Sequence, residues 1–178
     1  MDTIKILDKN FKIYLEDYRI KERIAEMANQ MNADFESQTP VFLGILNGCF
    51  MFASDLFKNL DVDCKISFLK IASYEGTRST GKVRQLIGLN EDIKNKPVVI
   101  LEDIIDTGIT IEHIIKQLKA YEPSEIRIAT LLLKPDAYQK DIPVDYTGFE
   151  IPNKFIVGYG LDYDGYGRNL RHIYQITQ

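Results

Sequence analysis

The sequence has no tryptophan, and only two cysteines and two histidines among its 178 residues. Cys49 and Cys64 form no CxxC pair, and no cluster of cysteine and histidine indicates a zinc site. A chain of this length can bury a substantial core without disulfides. The two cysteines are therefore expected to be reduced thiols, as in a cytoplasmic protein.

The sequence also lacks a block of basic residues, a long apolar run and a secretory signal. It has 22 Lys+Arg against 26 Asp+Glu, a formal net charge of −4, which argues against a nucleic-acid-binding surface. A membrane-spanning helix needs about 20 apolar residues, and the runs here are far shorter. The first residues are charged at once, unlike a signal peptide. We expect a cytoplasmic protein with neither nucleic acid nor membrane among its partners.

The apolar residues alternate in some segments and recur at helical spacing in others. The predicted strands cover residues 11–15, 41–46, 64–71, 83–89, 98–101, 126–133, 155–157 and 173–176, and the predicted helices cover residues 20–31, 50–60 and 111–118. Strand, helix and strand follow one another twice, which predicts an α/β fold with a mainly parallel sheet. Ligands of such sheets bind beyond the carboxyl ends of the strands, so the residues after Leu46, Leu101 and Leu133 are the first candidates.

The predicted strand that ends at Leu101 is followed by Glu102-Asp103-Ile104-Ile105-Asp106-Thr107-Gly108-Ile109-Thr110 and then by a helix. A helix N-terminus favours a phosphate, and a glycine there lets the backbone approach the anion closely. The carboxylates of Glu102 and Asp103 would repel a bare phosphate but suit Mg²⁺ or sugar hydroxyls. An anion site beside such a site indicates a phosphorylated sugar.

A structural alternative is that Asp106 or Thr107 only caps the following helix. Taken alone, each residue fits a cap as well as a ligand. Capping does not explain Glu102 and Asp103 at the end of a buried strand, where desolvation would oppose their charges. We therefore favour a functional role for the group.

The segment resembles the phosphoribosyl-diphosphate-binding motif of the type I phosphoribosyltransferases: four apolar residues, two acidic residues, then Asp-Thr-Gly-x-Thr. The resemblance covers nearly the whole chain. Leu46-Asn47-Gly48 is similar to the diphosphate loop, Ser73-Tyr74 and Ser79-Thr80-Gly81 to the mobile catalytic loop, and Lys134 with residues 155–159 and 161–163 to a 6-oxopurine pocket. Together these motifs resemble the hypoxanthine (hypoxanthine-guanine) phosphoribosyltransferases.

The resemblance implies one phosphoribosyltransferase domain over residues 1–178. A mainly parallel sheet flanked by helices would form a core of about residues 18–150, with a small hood from residues 1–17 and 151–178. The resemblance also implies a cis peptide at Leu46-Asn47 and a homodimer or homotetramer.

The implied activity belongs to purine salvage: transfer of the 5-phosphoribosyl group from 5-phospho-α-D-ribose 1-diphosphate to N9 of hypoxanthine, with guanine as a further substrate, giving IMP or GMP and diphosphate.

Asp106 would be the general base for the purine N7 proton. The phosphoribosyl group would be bound by Glu102, Asp103, Asp106, Thr107, Gly108, Ile109 and Thr110. The purine would be bound by Lys134 at its 6-oxo group, Phe155 by stacking, Ile156 through its backbone carbonyl, and Asp162. The diphosphate would be bound by Leu46, Asn47, Gly48 and Arg168. Mg²⁺ would be held by Glu102, Asp103 and Asp162, and the mobile loop would include Ser73 and Tyr74.

The chain departs from the family at Asn47, where many members carry Lys, and at Ile109, where a basic residue is common. Outside the resemblance, Lys134 reads as a solvated residue, Phe155 as core, Asp162 as a turn acid and Arg168 as a surface ion pair. The alternative functions are a nucleotide-binding RNA regulator on the same fold and a phosphoribosyltransferase for another base.

Overall fold

The computed structural model of the protein describes residues 3–72, 84–87 and 89–177. Its strands are β1 (Thr3–Ile6), β2 (Lys9–Leu15), β3 (Val41–Leu46), β4 (Lys65–Ala72), β5 (Arg84–Ile87), β6 (Pro97–Ile105), β7 (Glu125–Leu133), β8 (Tyr146–Glu150), β9 (Ile156–Val157) and β10 (Ile173–Ile176). Its helices are α1 (Asp17–Asp34), α2 (Phe50–Phe57) and α3 (Ile109–Leu118), which continues into a 3₁₀ turn (Lys119–Tyr121). The predicted mobile loop, with Ser73, Tyr74 and Ser79 to Gly81, lies outside the described residues.

The larger sheet has six strands in the order β5-β4-β3-β6-β7-β8. β4, β3, β6, β7 and β8 run parallel, and β5 pairs antiparallel with β4. This arrangement confirms the predicted α/β fold with a mainly parallel sheet. It also brings the carboxyl ends of β3, β6 and β7 to one edge, where a ligand site is expected.

Helices cover both faces of this sheet. One core cluster contains Val99 and Leu101 of β6 with the buried sides of α1 and α2, and a second contains Val98 and Ile100 with the buried side of α3. Because the four apolar residues of β6 alternate between two cores, the strand is buried on both faces, as its continuous apolar run predicts.

The terminal segments form a second, antiparallel sheet in the order β1-β2-β10-β9. Its small core cluster contains Phe11, Val157 and Tyr174. We call this sheet, with residues 151–177, the hood. The boundaries of core and hood remain a prediction. Of the helices within the described ranges, none is both long and apolar enough to cross a membrane.

Several predicted bounds were wrong. β6 continues to Ile105, so Glu102 and Asp103 lie within the strand rather than after it. Helix α2 ends at Phe57 instead of Leu60. Strands β1 and β8 were not predicted, since β1 is only four residues long and β8 contains Gly148. A side chain at position 148 would collide with the Leu131 carbonyl of β7, so the glycine that weakened the strand pattern is required by the pairing.

Candidate active site

Three segments meet beyond the end of β3: the acidic pair Glu102 and Asp103 within β6, the loop after β3 and a turn of the hood. A side chain at Gly48 would collide with the carboxylate of Asp103, and a side chain at Gly160 would collide with the carbonyl of Gly48. The peptide Leu46-Asn47 is cis, as the resemblance implies. Asn47 is exposed, whereas Gly48 is buried. The loop after β3 is thus held between the acidic pair and the hood.

The acidic pair is buried at this junction. Glu102 is only 6% exposed, and burial, with Asp103 beside it, raises its pKa well above the ordinary value. Burial also raises the pKa of Asp103 to about 6, while its backbone hydrogen bonds and the Arg168 guanidinium act in the opposite direction. Raised pKa values show that ionising these carboxyl groups is costly without a partner, so a cation or hydroxyl donors would be bound favourably here.

The described residues contain no group of three or more His, Cys, Asp or Glu side chains that could hold a metal ion by themselves. Mg²⁺ typically binds through one or two carboxylates and completes its shell with substrate phosphates and water. Glu102 and Asp103 supply two such carboxylates. The donor set therefore fits a magnesium ion that arrives with a phosphorylated substrate.

The phosphate-binding segment lies between β6 and α3. Gly108 is the N-cap residue, its φ of 82° lies in the left-handed region, and no side chain caps the helix. The Thr107 hydroxyl lies 3.5 Å from the Ile109 amide nitrogen, at the far limit of a hydrogen bond. Capping by Asp106 is therefore not observed, and the first N–H groups of α3 have no partner within the helix. Such N–H groups suit a phosphate.

Asp106 forms an ion pair with Lys134, the residue that follows β7. Lys134 Nζ lies 2.9 Å from Asp106 Oδ2 and 3.3 Å from Asn153 Oδ1. Lys134 is only 8% exposed, so it is not the solvated lysine of the alternative interpretation. Sequence reasoning missed Asn153, because no motif marks it apart from its place two residues before Phe155.

Phe155 is 44% exposed, although it belongs to an aromatic cluster of the hood. Its ring lies 5.7 Å from that of Tyr163 in an edge-on arrangement and 6.2 Å from that of Phe11. The Tyr163 hydroxyl donates to Asp8 at 2.7 Å. An exposed ring with packed neighbours is a fixed stacking surface rather than a core side chain. Ile156 is buried and pairs with Gln175 of β10.

Asp162 and Arg168 form an ion pair in the hood, with Arg168 Nη2 2.6 Å from Asp162 Oδ1. The second oxygen of Asp162 accepts from the Gly165 amide at 2.7 Å, and Arg168 Nη1 donates to the Gly160 carbonyl at 2.7 Å. Asp162 therefore has the turn role of the alternative interpretation, and its metal and purine roles remain predictions. Arg168 holds the turn that contacts Gly48.

Comparison with known proteins agrees with this arrangement. The family described as phosphoribosyl transferase domain matches residues 11–164. The hypoxanthine-guanine phosphoribosyltransferase of Aquifex aeolicus (strain VF5) is 35% identical over 174 residues, which cover 97% of this chain and 98% of that protein. A crystal structure of a hypoxanthine phosphoribosyltransferase from Staphylococcus aureus has a TM-score of 0.88 and 39% identity, covering 93% of this chain and 91% of that one.

Another relative is longer. The bifunctional protein TilS/HprT of Listeria innocua serovar 6a (strain ATCC BAA-680 / CLIP 11262) is 36% identical over 163 residues, which are 91% of this chain. This chain spans only 25% of that protein's length. The matched family and the full-length relatives nevertheless lead to one assignment: the chain belongs to the phosphoribosyltransferase family, among the hypoxanthine-guanine phosphoribosyltransferases.

Proposed function

We propose that the protein transfers the 5-phosphoribosyl group from 5-phospho-α-D-ribose 1-diphosphate to N9 of hypoxanthine, and of guanine, in purine salvage. The observation that carries this proposal is the ion pair of Asp106 and buried Lys134. Asp106 lies three residues before α3, and Lys134 also contacts Asn153, two residues before the exposed Phe155. A proton acceptor and an N–H donor in contact, near a helix N-terminus that suits a phosphate, support the proposal.

The phosphoribosyl group binds beyond the end of β6. The backbone N–H groups and hydroxyls of residues 106–110 bind its 5′-phosphate, and the side chains of Glu102 and Asp103 bind its ribose hydroxyls. Ile109 brings no charge, so the phosphate depends on the N–H groups of α3. This site fixes the sugar carbon C1′ in front of the purine.

The purine binds between Lys134 and Phe155. Lys134 donates to the 6-oxo group, Phe155 stacks on the ring and Ile156 offers its backbone carbonyl near position 2. As N9 forms its bond to C1′, the bond from C1′ to the diphosphate oxygen breaks and Asp106 accepts the N7 proton. In the free protein, Asp106 shares the ammonium of Lys134, so binding of the base must redistribute this contact.

The leaving diphosphate is bound by the backbone of Leu46, Asn47 and Gly48 and by Arg168. Mg²⁺, when bound, would neutralise the negative charge of the departing diphosphate. Glu102 and Asp103 would hold it beside the ribose, and Asp162 would hold a second ion if it exchanged its contact with Arg168. The resemblance assigns Ser73 and Tyr74, which lie outside the described residues, to a mobile catalytic loop.

The remaining proposals concern assembly and location. We propose a cytoplasmic homodimer or homotetramer, as implied by the resemblance, and light scattering coupled to gel filtration would determine the subunit number. The relatives described above are named as phosphoribosyltransferases for hypoxanthine and guanine. No observation favours an RNA-binding regulator.

The proposal is tested by a spectrophotometric assay of hypoxanthine, guanine, xanthine and adenine with phosphoribosyl diphosphate and Mg²⁺. Hypoxanthine should react, and excess chelator should abolish turnover. Adenine should react very poorly, because Lys134 and the 6-amino group both present donors, a mismatch that can cost about 10⁴–10⁵ in specificity. Adenine turnover equal to that of hypoxanthine would refute the purine assignment. Absence of turnover with every base would refute the activity.

A further inference from the structure

Lys134 follows β7, and the two side chains that contact its ammonium follow the neighbouring strands β6 and β8. The Lys134 amide donates to the Ile105 carbonyl at 3.0 Å, and the Ile151 amide donates to the Leu133 carbonyl at 2.8 Å. These bonds align the residues that follow β6, β7 and β8. Asp106 directly follows β6 and Asn153 follows β8 by three residues, so the two side chains reach the ammonium from the strands on either side of β7.

The number of donors on the ammonium gives Asn153 a specific role. A lysine ammonium has three N–H donors in a tetrahedral arrangement and accepts no hydrogen bond. Asp106 takes one donor at 2.9 Å and Asn153 takes a second at 3.3 Å. Two fixed N–H bonds determine the direction of the third, whereas a single bond to Asp106 would leave the ammonium free to rotate.

The charge of the two partners also differs. Asn153 is neutral, so it orients the ammonium without competing for its charge as a second carboxylate would. In its absence, the ammonium could turn fully towards Asp106, the proposed general base, and away from the purine. The third N–H would then no longer be oriented towards the purine. The protein would also lose part of its preference for a purine with a 6-oxo group over one with a 6-amino group.

We propose that Asn153 is a positioning residue that directs the third N–H of Lys134 to the 6-oxo group of the purine and thereby sets the preference for 6-oxopurines over adenine. This inference rests on the proposed function. It assigns to the segment between β8 and β9 two roles in one base pocket: the orienting amide of Asn153 and the stacking ring of Phe155.

The first test is Asn153→Ala, with steady-state kinetics for both substrates. Loss of one hydrogen bond to a charged group should raise KM for hypoxanthine about tenfold and narrow the preference over adenine by a similar factor. KM for phosphoribosyl diphosphate should stay unchanged. Asn153→Asp keeps an oxygen acceptor of the same shape but adds a second carboxylate that competes for the ammonium, so its KM for hypoxanthine should lie between those of the unmodified protein and Asn153→Ala. Lys154→Ala, at the next and exposed position, is the matched control.

The second test is the same substitution in a Lys134→Met background. If Asn153 acts through Lys134, Asn153→Ala should then change KM for hypoxanthine by no more than about threefold. If Asn153→Ala raised KM for hypoxanthine as much in this background as alone, Asn153 would have a general structural role and the inference would be overturned. An equal rise in KM for hypoxanthine and for phosphoribosyl diphosphate in the single variant would have the same meaning. An unchanged KM in the single variant would also overturn it. Failure of the unmodified protein to use hypoxanthine would instead refute the proposed function.

Discussion

Asp106 follows a strand of nine residues with a parallel neighbour on each side, whereas Phe155 precedes a strand of two residues. The segment after β6 is positioned by a sheet buried on both faces. The hood reaches the same site through turns in which Gly158, Gly160 and Gly165 have positive φ values of 83° to 101°. One site is therefore built from two regions that differ in how their side chains are held.

The difference matches the two tasks of the proposed reaction. Proton transfer needs a carboxylate whose position is fixed within a fraction of an ångström, and a strand end in a covered parallel sheet provides that. Recognition of a flat base needs a surface on each side of the ring, which a separate hood can supply. Changes in the core should therefore alter kcat, and changes in the hood should alter KM for the base.

The largest effect is expected for Asp106→Asn. The amide keeps the shape of the side chain but cannot accept the N7 proton, and loss of a general base typically costs about 10²–10⁴ in rate. The affinity for IMP should change by less than about tenfold, since the N–H groups of α3 remain. Single-turnover kinetics and isothermal titration with IMP measure the two quantities. Asp136→Asn, two residues after Lys134, is the control, and an unchanged kcat would exclude Asp106 as the base.

The next largest effect concerns the free energy of unfolding of the protein, to which Asp103 on the core side of the site contributes. Burial raises the pKa of Asp103 from its ordinary 3.8 to about 6, so the folded state holds a proton that the unfolded state has released. The associated stability is complete below about pH 4 and is lost as the pH rises through about 6, which corresponds to about 3 kcal/mol.

Without Mg²⁺, the free energy of unfolding of the unmodified protein should thus fall more between pH 4.5 and 7.5 than that of Asp103→Asn. Urea unfolding at both pH values measures this difference, with the exposed Asp141→Asn as control. Parallel pH profiles for the unmodified protein and Asp103→Asn would show that Asp103 ionises without cost.

A smaller effect is expected for Phe155→Ala in the hood. Stacking of a base on an aromatic ring contributes about 1–3 kcal/mol, so KM for hypoxanthine should rise between about fivefold and 150-fold. The rate at saturating base should change little, because Asp106 is untouched. Tyr166→Ala removes another exposed hood ring and should leave KM unaltered. A fall in kcat with an unchanged KM would contradict the division between core and hood.

The smallest effect is expected for Tyr163→Phe. This change keeps the ring beside Phe155 and removes only the hydrogen bond to Asp8, which is worth about 0.5–1.5 kcal/mol. KM for hypoxanthine should rise by no more than about tenfold, with kcat unchanged. Asp8→Ala, which removes the acceptor, should have the same effect and add nothing to Tyr163→Phe in the double variant. An additive double variant would show that Asp8 acts independently of Tyr163.

The core side of the site was more predictable from the sequence than the hood side, for a physical reason. Periodicity and a continuous apolar run reflect burial on both faces of a sheet, so β3 and β7 could be predicted close to their bounds and β6 could be recognised as a strand. The motif from Val98 to Thr110 is contiguous, so its residues stay together as the end of a strand, a turn and the start of a helix.

The remaining features depend on contacts between distant segments. Asn153 reaches Lys134 only because β7 and β8 end side by side, and the pairing of Lys134 with Asp106 joins residues 28 positions apart. The C-terminal end of β6 was predicted wrongly because acidic residues are typical of loops. Glu102 nevertheless lies inside the sheet, where it pairs with β7. Strand β1 could not be recognised, since its partner β2 and the hood core give it its structure.

The pairing of β2 with β10 has a consequence for synthesis on the ribosome. Leu15 is the partner of Ile173, so the hood sheet cannot close until Ile173 has been synthesised. The strands of the larger sheet lie between these residues and can pair as they emerge, because their contacts are closer in sequence. A growing chain therefore acquires the turn proposed to bind the phosphate before the hood surface proposed to receive the purine.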